Sequence, residues 1–234
     1  MDWLAGLPDF KATRALDVAT GSGRFAHQLA ARGASVVGVD VEVAIARAEP
    51  APGVRFEAMD AEALAFPDAS FDLVAISWAL HHMANPTRVI LEMRRVLAPG
   101  GTFLIIEPIR VWTGTNQDHH LAAHLLLARH DAARGLAHFP IFERLQVGSV
   151  IQGLDLVDLG FEALLALPEE AGWDLAQCRA AGAPWVEKLE SMAADAEAPA
   201  SWRDEARALA ATIRHEGLRT QPVHRVFGHV PARV

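Results

Sequence analysis

The chain of 234 residues has one cysteine, Cys178, and no tyrosine. A single thiol cannot close an intrachain disulfide, and a zinc site of clustered cysteines is excluded with it. Cys178 reads as an ordinary reduced thiol. No apolar run approaches the ~20 residues that a membrane-spanning helix requires. The longest, FLII at 103–106 and LLLA at 125–128, are the size of core segments. The first residues show no basic start followed by an apolar stretch, so no secretory leader is expected and the cytoplasm is. Clustered positive charge is also missing. Arg94 and Arg95 form the only adjacent basic pair, and the formal net charge is −8. A nucleic-acid binder must neutralise phosphates, so nucleic acid is not expected as a partner, nor is a membrane. A small-molecule substrate fits this balance better.

What is present is a globular composition, 51% hydrophobic and 21% charged, in a length suited to one α/β domain. Residues 15–19, 35–40, 54–60, 71–79 and 102–107 read as strands, and 25–33, 41–50 and 86–97 as helices. The clearest helix has Asn85 as cap and Pro86 in its first turn, with Val89, Ile90, Met93, Val96 and Leu97 at helical spacing. Continuous apolar strands alternating with helices imply a parallel sheet covered on both faces, doubly wound by right-handed crossovers. Residues 116–159 read as two helices broken near Pro140. Residues 169–216 read as two or three more, punctuated at Gly182-Ala183-Pro184 and Ala198-Pro199. Strands are expected at 161–167 and 222–230. One domain over 1–234 is expected: a cofactor-binding half at 1–109, helical cap insertions at 110–160 and 168–220, and the two final strands.

Acids and glycines collect at the carboxyl ends of the first three strands. Open α/β sheets bind ligands in the crevice outside those ends. The first strand ends in Asp17-Val18-Ala19-Thr20-Gly21-Ser22-Gly23, where glycines let backbone approach a ligand closely. The helix that follows directs free N–H groups to the same place, which favours a ligand carboxylate. The second strand ends in Asp40, 17 residues after Gly23, an acid placed to hydrogen-bond ribose hydroxyls. The third ends in Asp60-Ala61, where the carboxylate can accept from an adenine amino group and the next N–H can donate to the ring.

Taken together, these segments resemble the class I S-adenosylmethionine-dependent methyltransferases. ALDVATGSGRFA is similar to their glycine-rich first motif. AMDAEALAFPDASFDLVAIS is similar to the run from their third strand into the fourth, and ALHHMANPTRVILEMRRVLAPGGTFLI to the loop, helix and fifth strand of the small-molecule branch. The resemblance implies a Rossmann-like seven-stranded sheet with the last strand antiparallel. It implies that S-adenosylmethionine is the cofactor and S-adenosylhomocysteine the product. Asp17, Ala19, Thr20, Gly21 and Gly23 would surround its methionine part. Asp40 and Val41 would hold the ribose and flank the adenine, and Asp60 and Ala61 would read the adenine edge. Ser77 and Trp78 would lie near the point of methyl transfer. Ala19 stands where the family usually has glycine, a small change. Only 16 residues precede Asp17, whereas many members begin with helices that close over the cofactor; lid material is expected from 110–145 and 168–220.

Methyl transfer is a displacement at a sulfonium-activated carbon, so a general base is needed only for a protonated nucleophile. His81 and His82, after the fourth strand, are the catalytic candidates. His120 and His124 share a helix face and are candidates for a substrate-facing wall; no metal is expected there, for no third ligand is evident. Trp112, Trp173, Trp185 and Trp202 fall in the cap and can line an apolar pocket or pack helices. Two other readings compete. One is a non-catalytic cofactor-binding or assembly subunit of the same fold. The other is an NAD-dependent oxidoreductase, since residues 21–26 also fit a GxGxxA loop. A homodimer is plausible from the mean hydropathy of +0.15.

Overall fold

The computed structural model describes Leu4, residues 14–139, Ser149, Ile151, and residues 153–165 and 170–232. Its residues separate into two compact units, one within 2–107, 145–162 and 224–234, the other within 108–144 and 163–223.

The first unit is built on a seven-stranded sheet. Its strands are β1 (Arg14–Val18), β2 (Ser35–Asp40), β3 (Val54–Ala58), β4 (Phe71–Ser77), β5 (Leu97–Pro108), β6 (Val157–Leu164) and β7 (Val223–His229). They lie in the order β3-β2-β1-β4-β5-β7-β6. The first five are parallel, with Leu16 paired to both Val37 and Val74. The chain therefore runs outward from β1, returns to its other side at β4, and leaves a switch point beside β1 where an α/β sheet binds ligands. β7 reverses the direction. Val230 N–H donates to Gly101 O at one end and Ile109 N–H to Pro222 O at the other, so the start of β5 meets the end of β7. Thr102 and His229 side chains touch in the same register, at 3.2 Å.

Helices α1 (Arg24–Ala31), α2 (Glu42–Ile45) and α3 (Pro86–Val96) connect the parallel strands. Asn85 caps α3 through Arg88 N–H, and Pro86 occupies its first turn. Val89, Ile90, Met93 and Val96 on its inner face are 0% exposed. Burying each such side chain contributes roughly 1.5–3 kcal/mol. β6 runs over Val157–Leu164 rather than 161–167. Its alternation of Val157, Leu159, Phe161 and Ala163 is strand-like, but Asp158 and Gly160 between them read as loop residues. Residues 166–167 and the break expected near Pro140 lie outside the described residues.

The second unit is helical: α4 (Gln117–Ala133), α5 (Leu175–Ala194) and α6 (Ala200–Glu216). α5 does not break at Gly182-Ala183-Pro184 but continues through Pro184. Tertiary packing overrides the local signal. A Cβ at Gly182 would lie 2.5 Å from the Ile213 side chain, so the missing side chain admits α6. Leu126, Leu189, Met192, Ala206 and Ile213 form the shared core, with Trp185 and Trp202 against it. Asp174 and Gln177 cap α5 reciprocally. Among the described residues no helix is long and apolar enough to cross a membrane.

Candidate functional site

The loop after β1 is held by its own carboxylate. Asp17 is 1% exposed, accepts the Thr20 hydroxyl at 2.6 Å, and accepts the Ala26 N–H of α1. Burial pushes its pKa up to about 7. Asp17 and Thr20 thus brace the loop from within, and one N–H expected to be free at the helix start is taken by Asp17. Gly23 begins α1 in the left-handed region, with no side-chain cap. Its φ of 84° and a Phe56 ring 2.5 Å from any Cβ both demand glycine. Ala19 has φ 55°, so the alanine there is not neutral. A left-handed alanine costs roughly 1–2 kcal/mol in backbone strain.

Asp40 ties the first two strand ends together. One oxygen accepts Gly21 N–H at 2.8 Å and the other accepts Val41 N–H at 2.7 Å. Thr20 N–H donates to Val39 O alongside. Val41 follows with 62% of its surface exposed. Met59 N–H donates to Asp40 O, which brings the end of β3 to the same rim. Asp60 is exposed, Ala61 half-buried, and one Asp60 oxygen accepts Glu62 N–H at 2.8 Å. Arg95 of α3 fixes this loop from below. Its guanidinium donates to the Leu64 and Phe66 carbonyls and to Glu92 and Asp68. Those contacts raise its pKa and lower that of Glu92.

Ser77 and Trp78 end β4, both half-buried. Trp78 carries φ 55°, a conformation that bulky residues adopt only where neighbours impose it. Its N–H donates to Ile106 O at 2.8 Å. A 3₁₀ turn, Leu80–His82, follows. Here the sequence reading missed Glu107. This carboxylate at the end of β5 is 0% exposed and holds three donors: Ala79 N–H at 2.9 Å, Leu80 N–H at 2.7 Å and His81 Nδ1 at 2.6 Å. An acid closing the apolar strand TFLIIE was the available signal. Buried His81 is therefore oriented by Glu107, while His82 is exposed, its ring 4.3 Å from that of His81.

His120 and His124 belong to the helical unit, unlike the other candidates. Both are buried on α4. His120 Nδ1 accepts Gln221 N–H at 3.1 Å, and its ring lies 4.3 Å from Trp185. Burial, then the nearby Lys188 charge, lowers its pKa to about 3, so it is neutral. The His124 ring lies 5.0 Å from His138 and 6.0 Å from Trp185.

The rim of strand ends fits S-adenosylmethionine. The uncapped start of α1 and the glycines suit a carboxylate, Asp40 lies at the rim with lone pairs remaining, and Val41 offers an apolar face. The sequence of this segment is similar to that of known methyltransferases. The family described as a methyltransferase domain matches residues 16–105. A demethylmenaquinone methyltransferase of Thermus thermophilus is 45% identical over 102 residues, 40% of this chain and 46% of that protein. The matching stretch thus spans less than half of that relative's length. Two solved structures share the fold. Haemonchus contortus phosphoethanolamine N-methyltransferase 2, in complex with phosphomonomethylethanolamine and S-adenosylhomocysteine, gives a TM-score of 0.56 at 18% identity, over 97% of this chain and 51% of that one. The [4+2]-cyclase SpnF gives 0.57 at 22% identity, over 94% and 75%. The segment 16–105 thus matches a methyltransferase domain, and the sheet with its antiparallel seventh strand is the fold that those solved structures share.

Proposed function

We propose that the protein transfers a methyl group from S-adenosylmethionine to a small-molecule acceptor. The observation that carries this reading is the Asp40 carboxylate bridging Gly21 N–H and Val41 N–H, which joins the glycine loop to an exposed apolar residue at one rim. A carboxylate has about four acceptor positions, so Asp40 can take both N–H groups and still accept ribose hydroxyls. Gly21, Gly23 and the start of α1 receive the methionine carboxylate, with Ala19 in the same loop and Asp17 and Thr20 behind it. Val41 lies against the adenine, whose edge is read by Asp60 and Ala61. Ser77 and Trp78 border the reacting end.

When bound, the cofactor supplies a sulfonium-activated methyl group, and in-line attack by the acceptor leaves a thioether. The chain's part is to align the acceptor and exclude water. His82, exposed on the turn after β4, takes the proton where the nucleophile brings one. His81, fixed by Glu107, sets the shape of that turn. The shared fold of SpnF, a cyclase by name, is why the activity needs its own test.

That test is formation of S-adenosylhomocysteine across a panel of hydroxylated, thiol and amine small molecules. With a turned-over acceptor in hand, His82→Ala should lower kcat by roughly 100-fold if it is the base, and leave cofactor affinity unchanged. A fully active His82→Ala removes His82 from catalysis.

A further inference from the structure

The glycine loop after β1 is held from three directions, and one of them runs through a side chain outside it. Ala19, Gly21 and Gly23 all lie in the left-handed region, at φ 55°, 57° and 84°. A run of this kind persists only where its surroundings over-determine it. Thr20 is held by Asp17, and Gly21 by Asp40. Ser22, between the two glycines, is exposed, and its carbonyl accepts Glu49 N–H at 3.3 Å. Glu49 belongs to the segment that leaves α2, whose Arg47 and Ala48 N–H groups bond locally, to Ala44 O and Ile45 O. At 3.3 Å the Glu49 bond is long for an amide and a weak hold on that segment. His27 supplies the stronger one: its Nε2 donates to Glu49 O at 2.8 Å. A carbonyl only accepts, so this nitrogen carries the proton. The ring is well placed for it. His27 N–H closes the first turn of α1 on Gly23 O at 2.9 Å. The ring stands edge-on to Phe56, with centroids 6.3 Å apart. A Cβ at Gly23 would lie 2.5 Å from the Phe56 ring and 3.3 Å from His27 Nε2, so both rings line the back of the loop.

We infer, resting on the methyl-transfer reading for the ligand and its orientation, that His27 is a positioning residue for the amino-acid end of the cofactor. Through Glu49 it holds Ser22, and with Ser22 the N–H groups at the start of α1, in the arrangement that receives a carboxylate. His27 does not touch the ligand. Its effect passes through two hydrogen bonds to the backbone of the glycine loop, from His27 to Glu49 and from Glu49 to Ser22. It therefore falls on the group that this loop receives. The adenosine, whose proposed contacts are Asp40, Val41, Asp60 and Ala61, is spared.

The test is calorimetric titration of the full chain and two variants with S-adenosylhomocysteine and with 5′-methylthioadenosine. The second probe has the same adenosine thioether but no amino or carboxylate group. His27→Phe keeps a ring beside Phe56 and removes the donor. His27→Gln offers an amide N–H in place of Nε2–H. In His27→Phe the affinity for S-adenosylhomocysteine is expected to fall about tenfold, with that for 5′-methylthioadenosine unchanged within about twofold. His27→Gln is expected to recover S-adenosylhomocysteine affinity to within about threefold of the parent chain. A parallel fall for both ligands in His27→Phe marks a general loss of structure and overturns the inference. So does unchanged affinity for both, or a His27→Gln variant as weak as His27→Phe. Should His27→Phe not fold, His27→Ala carries the same comparison. A parent chain that binds neither ligand removes the methyl-transfer reading and the inference together. A parent chain that binds both, with His27→Phe indistinguishable from it, overturns the inference alone.

Discussion

His81 Nδ1 lies 2.6 Å from Glu107 Oε2, with both side chains buried at 1% and 0% exposure. The other Glu107 oxygen receives Ala79 and Leu80 N–H. One carboxylate at the end of β5 therefore sets the turn that carries both candidate catalytic histidines. The register of β5 and β7 also sets buried His224 opposite Glu107 on the neighbouring strand.

Glu107→Ala orphans three buried donors and is expected to lower stability by roughly 3–5 kcal/mol. Glu107→Gln keeps an oxygen for the two backbone N–H groups but presents an amino group to His81. The loss is then smaller, and the proton on the His81 ring must move to Nε2. Urea unfolding at unchanged m-value checks both. Equal stability of Glu107→Ala and the parent chain would show that the turn does not depend on this carboxylate.

The positions of the strand ends were legible from the sequence, because each carries its own marker. Asp17, Asp40 and Asp60 close apolar runs, and Gly21-Ser22-Gly23 opens a helix. What those residues do was less legible. Asp17 turns inward to Thr20 and Ala26, a choice made by burial that no spacing reveals. Ala19 looked like a harmless small residue, but its backbone is left-handed. Glu107 escaped notice because its partners arise from contacts distant in sequence. The same holds for Pro184, whose helix-breaking tendency yields to the packing of Gly182 on Ile213.

Two buried groups give opposing pH dependences. Asp17 titrates at 3.8 in an unfolded chain and at about 7 here, so the folded state keeps a proton that the unfolded state has lost. Its contribution makes stability fall as pH rises through that window, by about 1.4 kcal/mol per unit at most. Asp17→Asn retains an acceptor for Thr20 and Ala26 and is expected to remove that slope. The variant should match the parent near pH 4 and exceed its stability by a few kcal/mol near neutrality.

His120 acts in the other direction. Its pKa is 6.5 in the unfolded reference and about 3 here, so the unfolded chain binds the proton first. Stability from this group is complete above the unfolded value and falls as pH drops from 6.5 towards 3. His120→Gln, which can still accept Gln221 N–H, is expected to flatten the acid limb. Thermal melts across pH for both variants, compared with the parent, read the two slopes separately. An unaltered acid limb in His120→Gln would contradict the neutral buried assignment.

Arg95 holds the loop that carries Asp60 and Ala61 through four partners. Arg95→Ala is expected to weaken S-adenosylhomocysteine binding by about 1–2 kcal/mol and to open the loop to proteolysis. Arg95→Lys should not restore it, since an ammonium cannot span two carbonyls and two carboxylates as the planar fork does. Full rescue by lysine would show that only the charge matters.

Asp40→Ala removes both the bridge to Gly21 and the proposed ribose contact, so cofactor affinity should fall by at least roughly tenfold. Calorimetry on the variant measures it. Unchanged affinity would remove Asp40 from the site.

The central claim is tested most directly by calorimetric titration of the purified chain with S-adenosylhomocysteine, with NAD titrated in parallel. The expected result is binding at about micromolar Kd or tighter for the first and no heat for the second. Binding of NAD alone, or of neither compound, would contradict a methyltransferase cofactor site at the Gly21–Asp40 rim.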